Sequence, residues 1–173
     1  MRLFVPATMA MLETLLESGV MPVRSATAFA ATPALVESYA EGDSEEIEHV
    51  AFLEAARASL RLLGGELDSG AAHEEHPYRR VVVSVDVPDS EAAARPDLDT
   101  AVVRLSRGTV AMTEVAAVHV DLAGAVALVR DAVEAVDRAD LGDEDAELTV
   151  GDALDVDLAW YDAVELPFLL TLL

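Results

Sequence analysis

The sequence predicts an α/β or α+β fold. A single domain over residues 1–173 is expected, a two-layer sandwich with helices packed on a mixed sheet of about five to seven short strands. Three observations lead there. A short strand, a small or polar capping residue and a helix follow one another at LFVPAT, AFAATP, AVHVD and WYDAVELP, with no residue identity linking the four segments. The run RRVVVSVDV is nearly continuous valine, the pattern of a strand well inside a sheet. Finally, 173 residues of which 53% are hydrophobic can bury a core, which excludes a disordered chain despite its charge.

Each element has a local reason. Arg2 to Pro6 reads as a strand, and Thr8 caps a helix through Ser18 that Gly19 ends, with Leu12, Leu15 and Leu16 at helical spacing. A strand over Ala26–Ala30 precedes Thr32-Pro33, an N-cap followed by proline at the first helical position, and that helix runs through Ala40. Asp43 with Glu46 forms a capping box for the best helix, Ser44 to Leu63, which Gly64-Gly65 should stop before a polar loop over 66–77. Arg80 to Val87 is the clearest strand. A short helix is expected around Glu91–Ala94, a strand over Ala101–Ser106, a turn at Arg107-Gly108 and one or two strands within Thr109–Val120. Asp121 is placed as the cap of a helix from Leu122 to about Arg138. The segment 139–157 is strongly acidic, with a short helix over Thr149–Leu154. A last strand, Leu158–Asp162, leads to a C-terminal helix opening at Leu166-Pro167.

Composition narrows function. Eleven Arg against 33 Asp plus Glu give a net charge of −22. Such a chain repels nucleic-acid backbones and anionic membranes, so neither is expected as a direct partner. Cys, Lys, Asn and Gln are absent, which removes disulfides, thiolate chemistry, Schiff bases and any phosphate-binding lysine. Lys and Asn have A-rich codons, so a high-GC genome explains much of this bias, and a halophilic setting would act the same way. The apolar start is broken by Pro6 and Glu13, and no apolar run approaches the ~20 residues of a membrane span. A cytoplasmic protein is expected.

Taken together, MRLFVPAT, PVRSATAFAATPAL, AFLEAARASLRLL, RRVVVSVDVP and LAWYDAVELP resemble an actinobacterial family whose domain is of unknown function. The resemblance covers most of the chain. It implies a high-GC bacterial origin, a cytosolic location and no catalytic motif to carry over.

Four groups could carry chemistry. His73 and His76 flank two glutamates, but they precede Pro77 in a loop and lack a third ligand, so a solvated loop and no metal are expected. His119 and Asp121 share one side of a strand end, where a carboxylate could orient an imidazole for base work. The plainer alternative is a helix cap beside a half-buried strand histidine. Arg24, in an apolar stretch, suits a carboxylate or phosphate ligand, or else an internal salt bridge. Trp160, Tyr161 and Asp162 suit either ligand stacking or the core. No glycine-rich phosphate loop or nucleophile elbow is present, and no cofactor is expected.

Two function classes follow. The first is a non-catalytic, acidic interaction or regulatory protein that binds a basic protein partner. The alternative is a small-molecule binder or enzyme that uses the strand-end edge near His119 and Asp121, with Arg24 and Asp162 as further ligands. The C-terminal residues Val164, Leu166, Phe168, Leu169, Leu170, Leu172 and Leu173 are apolar nearly all round. They are expected to be covered by the domain body, with a homodimer contact in addition.

Overall fold

Side-chain caps open four of the six α-helices in the computed structural model, which describes residues 1–173. Strand β1 (Arg2–Ala7) hands over to α1 (Met9–Ser18) at Thr8, whose hydroxyl accepts from the Met11 amide, and Gly19 ends the helix in the left-handed region. Thr32 and Pro33 open α2 (Pro33–Ser38). Asp43 and Glu46 make both halves of the expected capping box on α3 (Ser44–Ser69). The remaining helices are α4 (Val126–Asp140), α5 (Glu144–Leu154) and the short α6 (Leu169–Leu172).

The strands are β2 (Val20–Pro22), β3 (Thr27–Phe29), β4 (Val81–Asp86), β5 (Ala92–Ala94), β6 (Val102–Leu105), β7 (Thr109–Ala111), β8 (Val115–Val120) and β9 (Ala159–Asp162). Seven of the nine form one sheet in the order β5-β6-β3-β1-β4-β8-β9, and β2 pairs β7 separately. The valine-rich β4 lies inside the sheet, between β1 and β8. The structure is a mixed α+β domain, as the sequence predicts. The sheet itself is antiparallel at every pairing rather than mixed.

Both faces of the sheet are covered. Leu3, Val5, Val81, Val83, Val85, Val118 and Val120 meet α1, Met21, Val110, Leu166 and Leu169 on one face. Phe4, Phe29, Val82 and Val102 meet Leu35 and the Ile47, Ala51, Ala55 stripe of α3 on the other. Beyond α3, the α4–α5 hairpin packs Val129, Val133, Val136 and Val150 against Leu60 and Leu63, with alanines allowing close approach.

Five local expectations are corrected. Gly64-Gly65 does not stop α3, which runs on to Ser69 and is capped by Gly70 in the left-handed region. Glycine inside a helix costs about 1 kcal/mol relative to alanine. Packing of Leu60, Leu63 and Leu67 on the α4–α5 hairpin overrides that local penalty. Residues 92–94 form the edge strand β5 instead of a helix, because the β6 ladder is available to pair with. Asp121 does not cap a helix: it is fully buried against Arg80, and α4 begins five residues later after a single tight turn. The acidic segment holds the longer helix α5, opened by Asp143 accepting from the Ala146 amide. The C-terminal segment is mainly a tight 3₁₀ run over Ala163–Phe168, with only one turn of α-helix after Pro167. Leu166 and Leu169 are buried by the domain body, while Val164, Phe168 and Leu172 remain exposed. No helix is long and apolar enough to cross a membrane.

Candidate functional site

Side-chain alternation along β4 and β8 builds a groove around His119. Val82 and Ser84 point to the α3 face, and the ladder sets His119 opposite Val82 and Trp160. The α3 helix covers this face only in part, which leaves a groove of about 410 Å³ lined by Phe4, Glu45, Glu48, His49, Phe52, His119, Asp157 and Leu158. Phe52 stands edge-on to His119 at 4.8 Å between ring centres and edge-on to Phe4 at 5.8 Å. His49 stacks over Phe52 at 6.1 Å. The floor is therefore aromatic and the rim is acidic.

His119 is not a general base poised near neutrality. Burial first, and the Arg2 cation second, push its imidazole down to about 4. Its Nε2 lies 3.0 Å from the Ser84 hydroxyl, and no carboxylate orients the ring. Ser84 is itself only 2% exposed. A serine–histidine pair needs an accessible oxygen and a base matched to working pH. This pair has neither, and what it offers is a neutral hydrogen-bonding ring in an aromatic hollow.

Asp121 stands two residues away in sequence but in a different environment. Its carboxylate accepts from the Arg80 backbone amide, Nε and Nη2, each at 2.8 Å. Its backbone carbonyl accepts from Arg79 Nη1. Arg80 and Asp121 are both 0% exposed, and Arg80 Nη2 also donates to the Val156 carbonyl, tying the α5–β9 linker to β4. Asp162 sits opposite Ala117 on β9, and its carboxylate accepts from the Val164 amide in a capping box completed by Glu165. Trp160 is 59% exposed beside the groove instead of lying in the core.

Arg24 lies elsewhere, at the mouth of a second cleft of about 480 Å³ that also takes in Met11, Arg61, Gly65 and Glu66. The four sequence candidates, Arg24, His119, Asp121 and Asp162, do not converge on one site. His73 also differs from a freely solvated loop residue. Its Nδ1 accepts from the backbone amides of Glu75 and His76, and its Nε2 pairs with Glu13 at 2.8 Å. Both ring nitrogens are thus occupied, and the chain holds no group of three or more potential metal ligands.

Sequence reasoning missed Phe52, His49, Glu45, Glu48, Asp157 and Ser84 as neighbours of His119. One signal was present: Ser84 and Asp86 alternate in a valine strand, which marks a face that is not wholly core. The residues from α3 gave no such signal, because only the packing of the helix on the sheet aims them at β8.

These features define an α+β protein with a seven-stranded antiparallel sheet and two lined clefts on different sides of α3. The chain belongs to the Family of unknown function (DUF6912), which it matches over residues 1–170. No curated protein and no solved structure matches it.

Proposed function

We propose that this is a non-catalytic, cytoplasmic protein of actinobacterial origin that acts as an acidic interaction or regulatory module for a basic protein partner. One observation carries the reading: the α4–α5 hairpin and its exit expose Asp131, Glu134, Asp137, Glu144, Asp145, Asp152, Asp155 and Asp157, none of them ion-paired. On this hairpin only Asp140 and Glu147 are neutralised, by Arg57 and Arg61. Arg130 and Arg138 are the only exposed bases on this hairpin, so its surface is predominantly acidic, and such a surface raises the local concentration of cationic partners and speeds their docking. Calorimetry with an arginine-rich peptide and a neutral peptide of equal length tests it. The basic peptide is expected to bind tightly at low salt, weakly at high salt, and less well after Glu144→Gln, Asp145→Asn and Asp152→Asn. Binding that ignores salt, or no preference over the neutral peptide, overturns the reading.

The groove beside His119 favours a second reading, a small-molecule site on the His119 side of the strand end, with Asp121 left out because it is buried against Arg80, on the strength of its aromatic floor. An unchanged His119 ring signal across a panel of aromatic and cationic ligands would remove it. A homodimer contact through Val164, Phe168 and Leu172 is part of the same proposal, since these side chains are exposed. Light scattering that finds a strict monomer across micromolar concentrations would overturn that contact.

A further inference from the structure

Three independent features meet at the cleft beneath α1 and α3. The first is charge. Arg24 and Arg61 line one cleft in a chain of net charge −22. Arg24 is exposed and makes no ion pair, although the chain has 33 carboxylates to choose from. Arg61 engages Asp140 through Nε and Nη2, at 2.6 and 2.9 Å, which leaves Nη1 uncommitted.

The second feature is the backbone that presents Arg24. Ser25 and Ala26 follow it with φ of 54° and 52°, two consecutive non-glycine residues in the left-handed region. Side chains with a Cβ resist that region, and such conformations gather where a ligand or a switch needs them.

The third is Gly65. Glycine is the poorest helix-interior residue after proline. Gly65 nonetheless lies inside α3, in ordinary helical conformation, and a Cβ built there would meet nothing within 4 Å. Neither internal packing nor backbone geometry asks for glycine at this position. It does leave the cleft wall open beside the two arginines. The carboxylate in the cleft, Glu66, accepts from the buried Thr8 hydroxyl, and burial, outweighing that hydrogen bond, shifts its pKa upward from the ordinary value. Met11, Pro22 and Leu62 supply an apolar wall.

From these features we propose that the Arg24–Arg61 cleft is a binding site for a small organic oxyanion, with a carboxylate or phosphate group between the arginines and an apolar body against Met11 and Leu62. Paired guanidinium groups suit such planar or tetrahedral oxyanions through charge-assisted hydrogen bonds. Gly65 lets the ligand approach the helix backbone closely. The site adjoins the acidic hairpin through the Arg61–Asp140 pair but uses none of the unpaired carboxylates of that surface.

Titration of the intact protein with benzoate, phenyl phosphate and inorganic phosphate tests the assignment, read by calorimetry and by the amide signals of Gly65 and Ser69. Benzoate or phenyl phosphate is expected to bind saturably and to shift both amides, and the tighter of the two identifies the oxyanion. Arg24→Ala, at an exposed position, is expected to weaken binding at least tenfold, with Arg24→Lys intermediate. Gly65→Ala should raise the melting temperature by about 2–4 °C while weakening the ligand. Three results overturn the proposal: no amide shift at millimolar ligand, affinity unchanged in Arg24→Ala, or inorganic phosphate binding as well as either organic ligand.

Discussion

Removing the Asp121 carboxylate should be among the most damaging single changes available to this fold. Asp121 accepts three hydrogen bonds from Arg80 at 2.8 Å, and both residues are 0% exposed. In Asp121→Ala the guanidinium stays buried with no counter-charge, because Arg80 is fully enclosed and its Nη2 is still held by the Val156 carbonyl. Breaking a buried pair from one side costs about 3–5 kcal/mol. Small proteins hold only about 5–15 kcal/mol in total. At about 2–4 °C per kcal/mol for a chain of this size, the melting temperature should fall by roughly 6–20 °C. Arg80 Nη1 has no protein partner, so the pair already carries one orphaned donor. Arg80→Met with Asp121→Leu should therefore recover most of the loss, since an apolar pair of similar size removes both the charge and the orphan. Urea unfolding followed by circular dichroism measures each variant, with the slope checked for constancy. A loss below about 1 kcal/mol in Asp121→Ala, at unchanged slope, would refute the reasoning.

Three further outcomes are expected. The His119 imidazole is held near 4 by burial and then by Arg2, against about 6.5 when unfolded, so the unfolded chain binds more protons between those values. Its contribution, about 3 kcal/mol, is complete above about pH 6.5 and lost as pH falls through about 4; an NMR titration midpoint at 6 or above contradicts this. His73→Ala should cost about 1–2 kcal/mol by releasing the Glu75 and His76 amides and Glu13, whereas His76→Ala costs less, and equal effects on urea unfolding would argue against the assigned roles. Moving from low to moderate salt should raise the melting temperature, because carboxylates from Asp131 to Asp157 repel one another; a flat or falling trend removes that account.

The sequence by itself determined whatever is settled within a turn or two of chain. Thr8, Gly19, Thr32-Pro33 and the Asp43–Glu46 box mark true helix ends, because a cap satisfies backbone groups only three or four residues away. The valine run of β4 and the strand over Val115–Val120 were legible for a similar reason, since alternation and β-branching act residue by residue. His119 was legible as a polar side chain on an apolar strand. Only the tertiary structure decided the rest. The helix passes through Gly64-Gly65 because the α4–α5 hairpin buries Leu63 and Leu67 against it, a stabilisation supplied by residues some seventy positions away. Asp121 resembles a helix cap locally, yet the fold gives its carboxylate the guanidinium of Arg80 from a neighbouring strand, a stronger partner than any free amide. The same holds for function-bearing neighbours. Phe52 meets His119, and Arg24 and Arg61 come to line one cleft, only after α3 docks between the sheet and the hairpin. Nothing in local spacing encodes those contacts, because they depend on distances set by packing and not by the order of residues along the chain.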